Sequence, residues 1–228
     1  MTEPVKSTRR YDSPRRREQA AATRREILEA AQRLLEEHGY AATTMAAIAA
    51  EAGVALKTLY VAFETKAGIL RALWHLLLRG DEADVPVLER SWYRELLAEP
   101  DAERQLERNA ELSCATKERI GAILDVIRAA AAADREIAVL WDRIQSDFHE
   151  MQRGLVVSIA DKGALRPGLD IDRATDILWT LNNPDVWQLL VGRRGWTPAQ
   201  YEQWLAEQSL ALISPRGRGQ LRSARAGR

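Results

Sequence analysis

The sequence predicts an all-α protein with a small three-helix head at its N-terminal end and a larger helical body behind it. Apolar residues recur at three- and four-residue steps along most of the chain. Capping residues and glycines punctuate these stretches, and none of them alternates apolar and polar residues as a half-buried strand would.

Residues 1–20 are polar, contain Arg9, Arg10, Arg15, Arg16 and Arg17, and are expected as a flexible basic arm. The head, residues 21–68, opens with Ile27, Leu28, Ala31, Leu34 and Leu35 on one helical face, and Gly39 supplies the left-handed residue that commonly ends a helix. Thr43 and Thr44 offer an N-cap to a short helix whose inner face is Met45, Ile48, Ala49 and Ala52, closed by Gly53. A second short helix, about Leu56 to Ala62, follows almost at once. Thr65 caps a longer helix through Ile69, Leu70, Leu73, Trp74 and Leu77, ending near Gly80.

The body, residues 69–213, continues after a loop at Asp81 to Pro86. A short apolar stretch, Leu88, Trp92, Leu96 and Leu97, stops before Pro100. A long helix starts after Asp101 and carries Ile120, Ile123, Leu124, Ile127 and Ala131 on one face. Another follows Asp134, through Ile137, Leu140, Trp141, Ile144, Phe148, Met151, Leu155 and Ile159, and breaks at Gly163 to Gly168. Asp172 opens a further helix through Leu178 and Leu181, interrupted at Pro184 and resumed through Trp187, Leu190 and Val191. Thr197 with Pro198 begins a last amphipathic helix through Tyr201, Trp204, Leu205 and Leu212. Residues 214–228, rich in Gly, Ser and Arg, are expected to be disordered.

The formal net charge is +0, but its distribution is uneven. Residues 1–68 hold 11 Lys/Arg against 9 Asp/Glu, residues 69–213 hold 17 against 24, and residues 214–228 hold 5 against 0. Only the ends favour phosphate, and attraction follows local surface charge rather than the total. No stretch approaches the ~18 uninterrupted apolar residues of a membrane span. The Arg-rich start has no apolar stretch behind it, so a cytoplasmic protein without a membrane partner is expected. No nucleophile–base pair, phosphate loop or metal spacing occurs, so neither catalysis nor a cofactor or metal is expected. His75 and His149, two separated histidines with no acid–histidine spacing, are poor evidence for a metal site, and the single cysteine, Cys114, reads as a small buried residue.

Between Thr43 and Phe63, two short helices meet at a tight turn on Gly53, the layout of a helix-turn-helix. In that layout the first helix braces the second, which lays its exposed side chains along a major-groove edge. Ile48, Val54, Leu59 and Phe63 would form the small core, leaving Lys57, Thr58 and Tyr60 to face outward. The stretch Thr43-Thr44-Met45-Ala46-Ala47-Ile48-Ala49, then Glu51-Ala52-Gly53-Val54, then Thr58-Leu59-Tyr60, Phe63 and Lys66, resembles the DNA-binding head of the TetR family of bacterial regulators. The resemblance covers roughly residues 24–70. It implies about nine helices, a homodimer formed by the last two, a ligand pocket among the central ones, and a repressor released from a palindromic operator by a small lipophilic or aromatic effector.

Carried over to this chain, the resemblance makes Thr43, Thr44, Lys57, Thr58, Tyr60 and Lys66 the expected DNA contacts, with Lys66 as a phosphate clamp. A cation in the first turn of a helix opposes the helix dipole, which a phosphate would explain. Ala55 stands where such heads often have a capping Ser or Thr, and Val61 and Ala62 replace a frequent His-Tyr pair. These departures keep alive a helical binding or scaffolding protein with a degenerate head. All seven tryptophans fall after the helix-turn-helix, which suits an aromatic-lined cavity. Trp74, Trp92, Trp141, Phe148, Met151 and Trp179 are the candidate pocket residues, with plain core packing as the alternative for each. Trp187, Trp204, Leu205 and Leu212 are the candidate dimer contacts.

Overall fold

The computed structural model describes residues 14–79 and 87–215. Residues 1–13 of the expected arm, the Asp81 to Pro86 loop and the tail beyond Pro215 lie outside the described residues. Among those described, every regular element is helical, as predicted: ten α-helical segments, one of them only four residues long, with a 3-10 turn at Val87–Glu89 and a π-helical turn at Gln188–Arg193. The chain divides into two compact units between Leu73 and Trp74, within one continuous helix.

The first unit holds α1 (Pro14–Ala42), α2 (Met45–Glu51), α3 (Leu56–Phe63) and the start of α4 (Lys66–Arg79). Helix α1 begins inside the stretch expected as an arm. Proline fits the first turn of a helix, and the Arg, Glu, Gln and Ala residues after it are good helix formers. Residues 17–22 of this extension are exposed, so it needs no apolar period. Gly39, at φ 75° and ψ 173°, breaks the helical run where the sequence places an end. Ile27, Leu28, Ala31 and Leu35 of α1 are buried, as are Ile48 and Ala49 of α2, Leu59 and Phe63 of α3, and Ile69, Leu70 and Leu73 of α4.

The second unit contains α5 (Ser91–Ala98), α6 (Ala102–Ala131), α7 (Arg135–Asp161), α8 (Ile171–Leu181), α9 (Pro184–Trp187) and α10 (Pro198–Ile213). Helix α6 packs against α7 and α10, and α8 packs against both of those. The Asp101 carboxylate caps α6 by accepting from the N–H groups of Glu103 and Arg104, and Asp134 caps α7 in the same way through Glu136 and Ile137. Thr197 and Gln200 form a reciprocal capping box at the start of α10, with Pro198 in its first turn. Helix α8 opens on Asp170 rather than Asp172. Both carboxylates could cap, but starting at Ile171 lets that side chain pack against the core.

Two apolar clusters hold the body. One joins Tyr93 and Leu96 of α5, Leu106 of α6, Leu155, Val156 and Ile159 of α7, Leu178 of α8 and Ile213 of α10. The other joins Ala110 and Cys114 of α6, Trp187 of α9, and Tyr201 and Leu205 of α10. Gly154, inside α7, would cost a helix about 1 kcal/mol relative to alanine. Its reason is close approach: an added Cβ would stand 2.3 Å from the Tyr93 hydroxyl, which donates to the Met151 carbonyl at 2.8 Å and ties α5 to α7. Among the described residues, no single helix is long and apolar enough to cross a membrane.

Candidate nucleic-acid interface and ligand cavity

Helix α3 buries Leu59 and Phe63 and turns Lys57, Thr58, Tyr60 and Val61 to solvent. Tyr60 is 50% exposed and Val61 78%, so an apolar edge lies beside a lysine on an eight-residue helix. The helix is held from behind. The Arg24 guanidinium of α1 lies 4.3 Å from the Phe63 ring centroid and donates to the Ala62 carbonyl at 3.2 Å, a cation on the C-terminal carbonyls of α3. Arg33 of α1 donates through Nε and Nη2 to Glu51 at the end of α2, at 3.1 and 3.0 Å. Neither arginine stands out in the sequence, because each acts on a residue that only the fold brings near.

Thr44 is exposed and caps α2, its hydroxyl accepting from the Ala47 N–H at 3.1 Å. A hydroxyl that accepts still has its own O–H to donate to a phosphate. Thr43 differs from the expectation of an outward DNA contact. It is 2% exposed, and its hydroxyl bonds the carbonyls of Gly39 at 2.8 Å and Leu34 at 3.1 Å, closing the end of α1. Lys66 is half-buried, and its ammonium donates to the carbonyls of Tyr40 at 2.5 Å and Thr43 at 2.8 Å, 4.0 Å from the Tyr40 ring centroid. These carbonyls at the end of α1 attract a cation and account for Lys66 in the first turn of α4 without invoking a phosphate.

Ala55 occupies the N-cap of α3 in extended conformation, with no side-chain cap. Ala55→Ser is expected to stabilise the start of α3 by about 1 kcal/mol. Amide exchange at Leu59 to Phe63 should slow by roughly fivefold under conditions where opening is at equilibrium. Unchanged exchange would show that the start of this helix does not limit its opening.

The body contains a cavity of about 390 Å³. Trp74 and Leu78 of α4, Trp92 and Leu96 of α5, Ile120 and Leu124 of α6, and Ile144, Phe148 and Met151 of α7 supply most of its wall. The candidates Trp74, Trp92, Phe148 and Met151 therefore meet at one space. Trp141 and Trp179 do not line it; the Trp179 ring stands edge-on to His149, 6.0 Å between centroids. Asn109, Ser113, Lys117 and Arg119 of α6 and Gln145, Asp147 and Gln152 of α7 add polar groups to the wall. Nothing in the sequence marks these residues, since polar residues on long amphipathic helices ordinarily face water.

Lys117 is the unusual member. It is 6% exposed, donates to the Asn182 side-chain oxygen, and lies 5.4 Å from the Tyr201 ring centroid. Burial away from water pushes its ammonium down to about 7. Asn182 in turn donates to the Ser113 hydroxyl at 2.7 Å. Cys114, one helical turn from Ala110, is buried, and burial together with Glu118 and Glu202 pushes its thiol up to about 11, which keeps it protonated at neutral pH.

The candidate dimer residues separate by exposure. Leu205 is wholly buried in its own chain, and Trp187, 7% exposed, packs edge-on against Tyr201 at 4.9 Å. Both belong to the second core cluster, which leaves little of either for a partner. Trp204 and Leu212 remain half-buried on α10.

Residues 27–73 match the family model described as bacterial regulatory proteins, tetR family. No protein of curated function matches the chain in sequence. Among solved structures, the fold is similar to a TetR transcription regulator from Haloarcula marismortui, at 19% identity over 85% of this chain and 100% of that one, TM-score 0.65. It is similar also to NalD of Pseudomonas aeruginosa, the secondary repressor of the MexAB-OprM multidrug efflux pump, at 24% identity over 86% and 98%, TM-score 0.65. The SmeT–triclosan complex of Stenotrophomonas maltophilia SmeT aligns at 20% identity over 85% and 92%, TM-score 0.66.

Proposed function

We propose that this chain, which carries the DNA-binding head of the TetR family on the fold of TetR regulators, is a homodimeric transcriptional repressor released from a palindromic operator by a small lipophilic or aromatic effector. The observation that carries the proposal is helix α3, whose Leu59 and Phe63 lock it into the head while Lys57, Thr58, Tyr60 and Val61 stand clear of it. Such a helix can enter a major groove without reorganising. Lys57 and Thr58 supply donors for base edges or phosphates, Tyr60 and Thr44 supply hydroxyls for the backbone, and Val61 suits the methyl group of thymine. Two copies related by a two-fold axis, meeting through α8 and α10 with Trp204 and Leu212 in the contact, would place two such helices one DNA turn apart, ~34–36 Å.

The effector site is the body cavity, whose largely apolar walls suit a lipophilic molecule. NalD, a repressor, and SmeT in complex with triclosan support this assignment on a shared fold. Helix α4 runs without interruption from Lys66 in the head to the cavity residues Trp74 and Leu78. An effector that moves α4 and favours a mis-spaced dimer weakens DNA binding, and by linkage DNA weakens effector binding by the same factor. Effector titration with and without bound operator tests this. A lower affinity in the presence of operator supports release, and equal affinities would contradict the coupling.

A further inference from the structure

The cavity holds more polar capacity than a purely lipophilic ligand could use. Asn109, Ser113 and Lys117 lie at four-residue steps on one face of α6, and all three line the cavity. Asn109 is 6% exposed and its side-chain N–H₂ has no hydrogen-bond partner. Lys117 is equally buried, and the groups it meets, the Asn182 amide, the Tyr201 ring and the protonated Cys114 thiol, carry no negative charge. The Ser113 hydroxyl accepts from Asn182 and keeps its own O–H. Asp147, the carboxylate on the cavity wall, is paired with Arg143 at 2.8 Å. One side of the cavity is thus a row of donors around a buried cation with no counter-ion, an arrangement that costs stability unless something answers it.

We propose, granted that the cavity is the effector site, that the effector is an apolar organic acid: its carboxylate sits against Asn109, Ser113 and Lys117, and its hydrocarbon or aromatic body lies between Trp74, Trp92 and Phe148. A carboxylate has two oxygens and about four acceptor positions, enough for the ammonium, the amide N–H₂ and the hydroxyl together. Charge-assisted bonds formed away from water are the strong ones, so the acid is selected over a neutral molecule of the same shape. The low proton affinity of the empty site's lysine fits this arrangement, since a bound carboxylate restores the charged form. On α7, the side-chain oxygens of Gln145 and Gln152 have no donor. They suit an O–H or N–H elsewhere on the molecule and do not compete for the acid.

The test uses the full chain, free of DNA, and two matched pairs of probes: dodecanoate against dodecanol, and naphthylacetate against naphthylethanol. Binding is read by calorimetry and by the fluorescence of the wall tryptophans. At least one acid is expected to bind about tenfold or more tightly than its alcohol. Lys117→Met should abolish that preference while the alcohol binds as tightly as before or more so. Asn109→Leu, which keeps the cation, should reduce the preference without abolishing it, and thermal melts establish that both variants are folded. Equal binding of acid and alcohol, or a preference that survives Lys117→Met, would overturn the acid inference and leave the cavity standing as the effector site. Failure of all four probes to bind would overturn the inference too. Because no DNA is present, none of these results alters the assignment of the head, which operator binding tests separately.

Discussion

Replacing Lys117 with methionine is expected to raise the stability of the unliganded protein by roughly 1–3 kcal/mol at pH 7. The lysine is buried beside neutral groups, and burial lowers its proton affinity from the ordinary 10.5 to about 7. Between those values the unfolded chain holds a proton that the folded chain has released. Wild-type stability therefore rises as pH rises from about 7 to 10.5, and is lost as pH falls back through that window. Each unit of difference is worth about 1.4 kcal/mol. Against this gain, methionine leaves the Asn182 oxygen without its donor, a loss of about 1–3 kcal/mol. Denaturant unfolding of both proteins from pH 6 to 10, followed by tryptophan fluorescence, measures the difference. The variant's advantage should be largest near pH 6 and shrink towards pH 10. A variant less stable than wild type at pH 6 would mean that the ammonium is compensated in the folded protein.

The second large effect is at Tyr201. Its side chain is fully buried on α10, 4.9 Å from Trp187 and 5.9 Å from Trp204 between ring centroids. Removing such a ring leaves a cavity between α6, α9 and α10, so Tyr201→Ala should destabilise the body by about 3–5 kcal/mol. The hydroxyl is a different matter. It is buried with no hydrogen-bond partner, and burial pushes its ionisation well above the usual phenol range. Tyr201→Phe should therefore be neutral or slightly stabilising, because it removes an unpaired polar atom and keeps the packing. Denaturant midpoints of the two variants check both statements. A loss of more than about 1 kcal/mol in Tyr201→Phe would mean that the hydroxyl has a bonding role in solution.

Much of the architecture was legible because its signals are local. Asp101, Asp134 and Thr197 mark helix starts through bonds to backbone N–H groups two or three residues away. The turn at Gly53 and the alternation of buried Leu59 and Phe63 with exposed Lys57 and Tyr60 follow from helical spacing alone. What escaped the sequence depends on distant partners or on how a helix is rotated about its axis. Lys66 finds the carbonyls of Tyr40 and Thr43 more than twenty residues back. Thr43 and Thr44 have the same chemistry, yet the fold buries one and exposes the other. Trp141 and Trp179 repeat at the spacing of their helices but miss the cavity, because the spacing identifies a packed face and not what that face meets. Lys117 sits among ordinary charged residues in the sequence, and only the packing of α6 shows it buried on the cavity wall. The start of α1 at Pro14 escaped because an exposed helix carries no apolar period.

The central claim is that α3 reads DNA. Its most direct test is selection of bound duplexes from a random pool at moderate salt with the wild-type chain, repeated with Lys57→Ala and Tyr60→Ala. The expected result is enrichment of a palindrome whose half-sites lie about one helical turn apart, and loss of that enrichment in both variants, each of which alters an exposed side chain and should remain folded. A wild-type pool that stays unenriched, or a palindrome equally enriched by both variants, would contradict it.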